Sequence, residues 1–383
     1  MDERAVGTQP VTVIIEPNPG GHRFQWVQSV AGVAHARGDR LVLLTIEGGG
    51  ATEAFDNFLS ALPMTVREPY DRVDPSVEQV AASLLDLQRE IPFETYVITE
   101  ADVLVKRWWR ALPKALRGRR APKGVLVYGR FPSRVALDRE DIQHRIAKTT
   151  LGGLALARGA AVRIVALVGR DRTEAGWIVK RVRDPAICSE HARDRAELRV
   201  KLGLPADRKL VSILGAISMR KSVPLVLDAV IEAGPDVDLL LAGPLHDDVA
   251  AWLETLDPAK KARIVDRYGF LSEEEIDGYT AASDICSTAH LNKGPSGIMG
   301  KSQAAGVPVL SAGSKIRSHE AGDAHGAVHT EMNATAMAAG IREILSWGPD
   351  PVPIDPGLPT AEEFGAVILG MPAPASLVAA RRG

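Results

Sequence analysis

Short apolar runs alternate with longer stretches whose apolar positions recur every three or four residues, from Val11 through to Trp347. In the first half the runs are Val11–Ile15, Arg40–Ile46, Thr95–Thr99, Lys123–Tyr128 and Arg163–Val168. In the second half they are Lys209–Leu214, Val237–Ala242, Ile264–Leu271 and Asp284–Ala289, with Val307–Leu310 following a Gly-rich segment. Strands buried on both faces of a parallel sheet have this appearance. Between the runs, Phe24, Val27, Val30, Ala31 and Ala34 share one helical face. The same spacing joins Val80, Leu84 and Leu87, and again Met337, Ile341, Ile344 and Leu345. The alternation predicts two doubly wound α/β domains, with Arg163–Val168 the last strand of the first.

Composition narrows the class without changing that picture. A chain of 383 residues has room for two ordinary domains, and 45 % apolar with 25 % charged residues is the balance of a soluble globular protein. A net charge of −2 excludes a general polyanion binder, so no nucleic-acid partner is expected. Cys188 and Cys286 follow no metal or redox spacing and are read as reduced thiols. The start, Met-Asp-Glu-Arg, lacks the basic and apolar pattern of a signal peptide, and no apolar run reaches membrane-spanning length. A cytoplasmic location is expected.

Candidate chemistry sits where strands end, because residues just past the carboxyl ends of parallel strands line the binding crevice of such sheets. After Val11–Ile15 comes Pro17-Asn18-Pro19-Gly20-Gly21, a strand–glycine–helix junction. Glu100, Asp102, Tyr128 and Arg130 follow later strands of the first half. In the second half Lys209–Leu214 ends in Gly215-Ala216-Ile217-Ser218-Met219-Arg220-Lys221, and Val237–Ala242 ends in Gly243-Pro244. The fullest signal is Asn292 to Leu310, which reads loop with three glycines in seven residues, Ala-rich helix closed by Gly306, then strand. Glycines admit a ligand close to the backbone, and a helix start directs amide groups at an anion, so this is a phosphate seat built from main chain. It is not a P-loop: counting back from Gly300-Lys301-Ser302, Pro295 occupies the place that Gly-x4-Gly-Lys-Ser reserves for glycine.

From Asp284 through Leu310 the chain resembles the donor-binding segment of GT-B glycosyltransferases, in particular the retaining family four group. That group usually carries two glutamates with seven residues between them, where this chain has Lys293 and Lys301. A branch of it has a Ser-Gly-x-x-Gly loop instead, and Ser296, Gly297 and Gly300 match that version. The family's strand-end Arg and Lys hold the donor pyrophosphate. Lys221 matches the lysine, Ala216 stands where the arginine usually is, and Arg220 lies beside Lys221 as a second cation. The resemblance covers Lys209 to Val309 well and the first half weakly. It implies a GT-B fold, two Rossmann-like domains facing across a cleft: an acceptor domain over residues 1–185, a donor domain over 186–347, and a Pro-rich tail, 348–383, able to return to the first domain.

The resemblance implies a glycosyltransferase moving a sugar, hexosyl or related, from a nucleotide-diphosphate donor to a small-molecule or glycan acceptor. It further implies retention and no metal or other cofactor, and no Asp-x-Asp pair is placed for a metal. Lys221, Arg220 and Arg130 are then the catalytic candidates. Gly20, Gly21, Gly215, Gly243, Ser296, Gly297, Gly300 and Lys301 are the donor-binding ones. Lysine only donates hydrogen bonds where the family's glutamate accepts them. A catalytically inactive scaffold that binds nucleotide sugar or a partner is therefore one alternative; a nucleotide-sugar epimerase or a pseudo-glycosyltransferase acting on a non-sugar donor is another. One further segment, 106–123, is basic and Trp-bearing. Peripheral contact with anionic headgroups is one reading of it. A solvated helix face with its tryptophans turned into the core is preferred, because the segment itself carries no long apolar stripe.

Overall fold

The computed structural model describes residues 9–20, 23–132, 138–168, 176–290, 296–322 and 325–372. Among these the chain forms two compact units, each built on its own parallel sheet. The first unit takes the chain up to Val168, a piece ending at Arg183, and the chain from Thr360 onward. The second runs from Asp184 to Pro359.

In the first unit the elements are β1 (Val11–Ile15), α1 (Arg23–Ala36), β2 (Arg40–Ile46), α2 (Glu53–Phe58), β3 (Met64–Tyr70), α3 (Val77–Glu90), β4 (Thr95–Ile98), α4 (Val105–Ala111), β5 (Lys123–Tyr128), α5 (Arg139–Ala157), β6 (Arg163–Val168) and β7 (Val179–Arg183). The sheet order is β3-β2-β1-β4-β5-β6-β7, with Val13 of β1 between Val42 of β2 and Tyr96 of β4. Chain order reverses between β1 and β4. Helices α3, α4 and α5 cover one face through Val80, Leu84, Trp108 and Ala155, and α1 and α2 cover the other through Phe24, Val30 and Phe58. Sharp helix starts have local causes: Ser76 and Gln79 form a reciprocal capping box at α3.

The second unit contains α6 (Arg195–Lys201), β8 (Lys209–Leu214), α7 (Val223–Ala233), β9 (Val237–Gly243), α8 (Asp247–Glu254), α9 (Pro258–Lys261), β10 (Ile264–Tyr268), α10 (Glu273–Ala282), β11 (Ile285–His290), α11 (Gly297–Ala305), β12 (Val309–Gly313), α12 (Lys315–Gly322), β13 (Ala327–Thr330) and α13 (Ala334–Ser346). Its order, β10-β9-β8-β11-β12-β13, reverses between β8 and β11. One face is packed by α7, α8 and α13, the other by α6, α10 and α11. Ser272 and Glu275 make the capping box of α10, and Gly306 closes α11 in the left-handed conformation that glycine favours.

The last described helix, α14 (Ala361–Leu369), belongs to the first unit and lies on α1. Thr360 caps it, Phe364 and Ile368 are buried with Trp26 and Val30, and Glu363 pairs with Arg183 at 2.9 Å. Burying two such side chains stabilises the first unit by about 3–6 kcal/mol before entropy is counted. Among the described residues, no helix is long and apolar enough to cross a membrane.

The first sheet extends one strand beyond the expected end at Arg163–Val168. Its edge strand β7 is the sequence Val-Lys-Arg-Val-Arg, buried only at its two valines, so it shows no apolar run. Edge strands β3 and β13 escaped the pattern for the same reason, being largely half-exposed.

Candidate functional site

In each sheet the point where chain order reverses leaves two loops diverging from neighbouring strand ends, which is where open α/β sheets hold ligands. In the second unit these loops follow β8 and β11. Gly215 follows β8 at φ 72°, and its missing Cβ would stand 3.7 Å from the Lys221 ammonium. A 3-10 turn, Met219–Lys221, then delivers Arg220 and Lys221, and Ser222 takes the left-handed conformation at φ 52° to start α7. Gly243, at the end of β9, stands at φ 132°, and a Cβ there would meet the Gly215 carbonyl oxygen at 2.5 Å. No other residue type fits that approach.

Lys221 is buried, and its ammonium donates to the Leu214 carbonyl. Burial, and next the charge of Arg220, push its pKa down to about 7. Among the described residues neither Lys221 nor Arg220 has a carboxylate within ion-pair reach. At the end of β11, His290 is buried and its pKa is pushed down to about 3 by burial and then by Arg317, Lys221 and Arg220. The imidazole is therefore neutral. A guanidinium only donates, so the 3.5 Å approach of Arg317 to Nδ1 places the ring proton on Nε2. Arg317 itself, on α12, is fully buried and paired with Glu320 at 3.0 Å.

Ser296 caps α11, its Oγ accepting from the Met299 amide at 3.3 Å. The amides of Gly297 and Ile298 lie outside the helical ladder, as the first amides of any helix do. Gly300 is buried one turn in. Lys301, also expected to meet the donor, is turned elsewhere: its ammonium lies 2.6 Å from Asp277 and 2.8 Å from Glu273 on α10. Those two carboxylates hold its pKa above the ordinary lysine value despite burial. Lys293 lies outside the described residues.

The first unit has its own cluster where β1 and β4 end. Glu16 is fully buried; Thr99 donates to it at 2.6 Å and the Asn18 amide at 2.9 Å. Arg23, at the start of α1, lies 3.5 Å from Glu16 and also pairs with Glu100. Burial raises the Glu16 pKa against these partners. The Gly20 amide donates to Asn18 Oδ1 at 2.8 Å, so Glu16 and Asn18 together shape the glycine turn. Gly21 lies outside the described residues. Arg130 is exposed past the end of β5, and its carbonyl accepts from Lys148, which also pairs with Asp102. Asp102 in turn accepts from the Gly129 amide at 2.7 Å.

Thus the second unit gathers Gly215, Arg220, Lys221 and Gly243 around neighbouring strand ends, with α11 the helix that follows the adjacent strand β11, while Lys301 points into an ion cluster. Gly20 and Arg130 belong to the first unit. Sequence reading passed over His290, Arg317 and Glu16. Glu16 directly follows β1 and His290 is the last residue of β11, strand-end positions where a polar residue after an apolar run is conspicuous. Arg317 carried no such signal, being one basic residue in a polar segment. Among the described residues no three His, Cys, Asp or Glu side chains lie close enough together to hold a metal ion.

No family model and no curated protein sequence matches the chain. Solved structures do. Sucrose-phosphate synthase from Thermosynechococcus elongatus superposes with a TM-score of 0.61 at 14% identity, over 95% of this chain and 94% of that one. HepE of Anabaena in complex with UDP-glucose gives 0.61 at 14% identity, over 97% of each chain. WaaG, a glycosyltransferase involved in lipopolysaccharide biosynthesis, gives 0.53 at 13% identity, over 97% of this chain and 96% of that one. The fold is that of the GT-B glycosyltransferases.

Proposed function

We propose that the chain is a glycosyltransferase, moving a hexosyl or related group from a nucleotide-diphosphate sugar to a small-molecule or glycan acceptor. The observation that carries this reading is the pair of cations, Lys221 and Arg220, standing without carboxylate partners among the described residues at the order reversal of the second sheet. A buried ammonium is costly unless an anion joins it. The anion the site suits is a diphosphate, with the first amides of α11 supplying neutral donors. In the reaction the bond from the sugar's anomeric carbon to the diphosphate breaks and its electron pair leaves with the diphosphate, while the acceptor's oxygen bonds that carbon and its proton passes to the departing diphosphate. Lys221 and Arg220 stabilise that growing charge. Gly243 lets the backbone at Gly215 pack closely against the end of β9, which fixes the turn that delivers Arg220 and Lys221, and Ser296 orients the start of α11.

The shared fold and the UDP-glucose held by HepE support a nucleotide-sugar donor. Transfer without a resident metal fits a site whose own cations meet the diphosphate. Among the described residues no enzyme nucleophile is evident there, which fits retention through front-face attack. We assign acceptor recognition to the strand-end cluster of the first unit, with Arg130 beside it and Gly20 and Gly21 in its turn.

The test is a thermal-shift screen against uridine, guanosine and thymidine diphosphates, followed by transfer assays with the matching nucleotide sugars. A saturating ligand at a hundred times its dissociation constant should stabilise the chain by about 2.7 kcal/mol. Lys221→Ala should abolish both shift and transfer; full transfer by that variant would end the proposal. NMR of the anomeric proton in the product reads retention. The Lys301 pairing with Asp277 and Glu273 favours one rival, a scaffold that binds without turnover. Binding of a nucleotide sugar with neither hydrolysis nor transfer would establish it.

A further inference from the structure

We propose that the outer face of α4 and α5 in the first unit is a docking surface for an anionic lipid bilayer. Charge segregation is the first observation. Between Asp102 and Asp138 the chain carries ten Lys and Arg and no Asp or Glu, in a protein whose net charge is −2. Lys106 and Arg110 stand one turn apart on α4, both exposed, and Lys114, Arg119 and Arg120 follow, also exposed. Among the described residues none of these five has a carboxylate within ion-pair reach; Arg107, by contrast, is held by Glu78 at 2.7 Å.

The second observation is apolar. Val103, two residues before α4, is 72% exposed, and Ile142 and Ile146, one turn apart on α5, are 44% and 62% exposed. The two helices pack side by side on the same face of the first sheet, with Trp108 and Ala155 directed inward. Their outward faces therefore form one layer. At its other end the Gly118 amide donates to the Gly159 carbonyl at 3.0 Å, which sets Arg119 and Arg120 beside the end of α5. The apolar component absent from segment 106–123 is thus supplied by a helix distant in sequence.

A bilayer suits this combination better than a soluble polyanion. Phosphate headgroups meet the unpaired cations while exposed isoleucines enter the acyl boundary, where a nucleic acid or acidic polysaccharide offers them nothing. The inference does not depend on sugar transfer.

Sedimentation of the full chain with phosphatidylcholine vesicles, with and without phosphatidylglycerol, tests it. Binding is expected only to the anionic vesicles, and to fade at high salt. The Arg119→Ser/Arg120→Ser double variant should bind about 25-fold more weakly, roughly fivefold per charge. Ile146→Ser should bind roughly tenfold more weakly through loss of one buried aliphatic side chain. All three side chains are exposed, and an unchanged circular-dichroism melt shows that each variant folds. Failure of the full chain to prefer anionic vesicles overturns the proposal. So does an Ile146→Ser variant that binds as tightly as the parent, which would assign the cations to a soluble polyanion instead.

Discussion

Raising the pH from about 7.5 to about 9 is expected to weaken nucleoside-diphosphate binding about 24-fold, because the ammonium of Lys221 must be present to receive the anion. In the ligand-free chain burial and Arg220 push its pKa down to about 7, so above that pH the side chain is mostly neutral. A diphosphate restores opposing charge and takes up a proton with it. Up to the ordinary lysine value of 10.5 the dissociation constant grows in proportion to one plus the ratio of neutral to charged Lys221. Over the stated window the change is equivalent to about 1.9 kcal/mol. The window stands clear of the phosphate's own second ionisation at about 6. Isothermal titration calorimetry with UDP, repeated in two buffers of different ionisation enthalpy, reads both the affinity and the proton taken up. Lys221→Met should bind weakly at every pH, with no proton uptake. A change under about threefold for the parent, or an equal slope in the variant, would refute the reasoning. The same variant has a second readout. The folded pKa of Lys221 lies below its unfolded one, so from about 7 to 10.5 the unfolded chain binds more protons and stability rises with pH. Lys221→Met should therefore melt higher than the ligand-free parent near pH 7, with the gap closing as pH rises.

Gly243→Ala should lose nucleotide binding and about 1–3 kcal/mol of stability to strain, measured by urea unfolding, since φ 132° and the Gly215 carbonyl at 2.5 Å leave no room for a methyl group. Glu16→Gln should gain stability relative to the parent as pH rises above 4.5: burial raises the Glu16 pKa, so the parent's stability is greatest below 4.5 and falls as pH climbs through the folded value. Paired unfolding curves at acid and neutral pH check the sign. Phe364→Ala should cost about 3–5 kcal/mol, read by chemical denaturation, because its ring fills the space between α14 and α1. Transfer, once a donor is found, should proceed undiminished in excess EDTA; loss of activity restored by a divalent cation would contradict a site that neutralises the diphosphate with Lys221 and Arg220.

The central strands were legible because burial on both faces forces an unbroken apolar run: Val11–Ile15, Arg40–Ile46 and Lys209–Leu214 stand in the fold at their expected bounds. Strands at the sheet margins were not, since a residue such as Lys180 of β7 faces water and breaks the run. The glycine turns were readable for a similar reason, as few other residues can serve at Gly215 or Gly243. Side-chain direction was beyond periodicity. Lys301 lies on α11, the helix expected to meet the donor, yet its ammonium is claimed by Asp277 and Glu273, which come from a separate segment. Trp108 and Trp109 are neighbours in sequence, but the first is in the core and donates to the Ala160 carbonyl at 2.9 Å, while the second lies half-buried beneath Arg158.

The return of α14 to the first unit sets the order in which the chain can mature on the ribosome. All seven strands of the first sheet have been made once Arg183 emerges, but Trp26 and the outer side of α1 stay uncovered until Phe364 and its neighbours in α14 follow. At ordinary elongation speed that delay is on the order of ten to thirty seconds. Throughout it, the nascent sheet displays a greasy strip that invites chaperones or neighbouring chains. Domain-by-domain completion is thus denied to this protein: the half begun first is the half finished last.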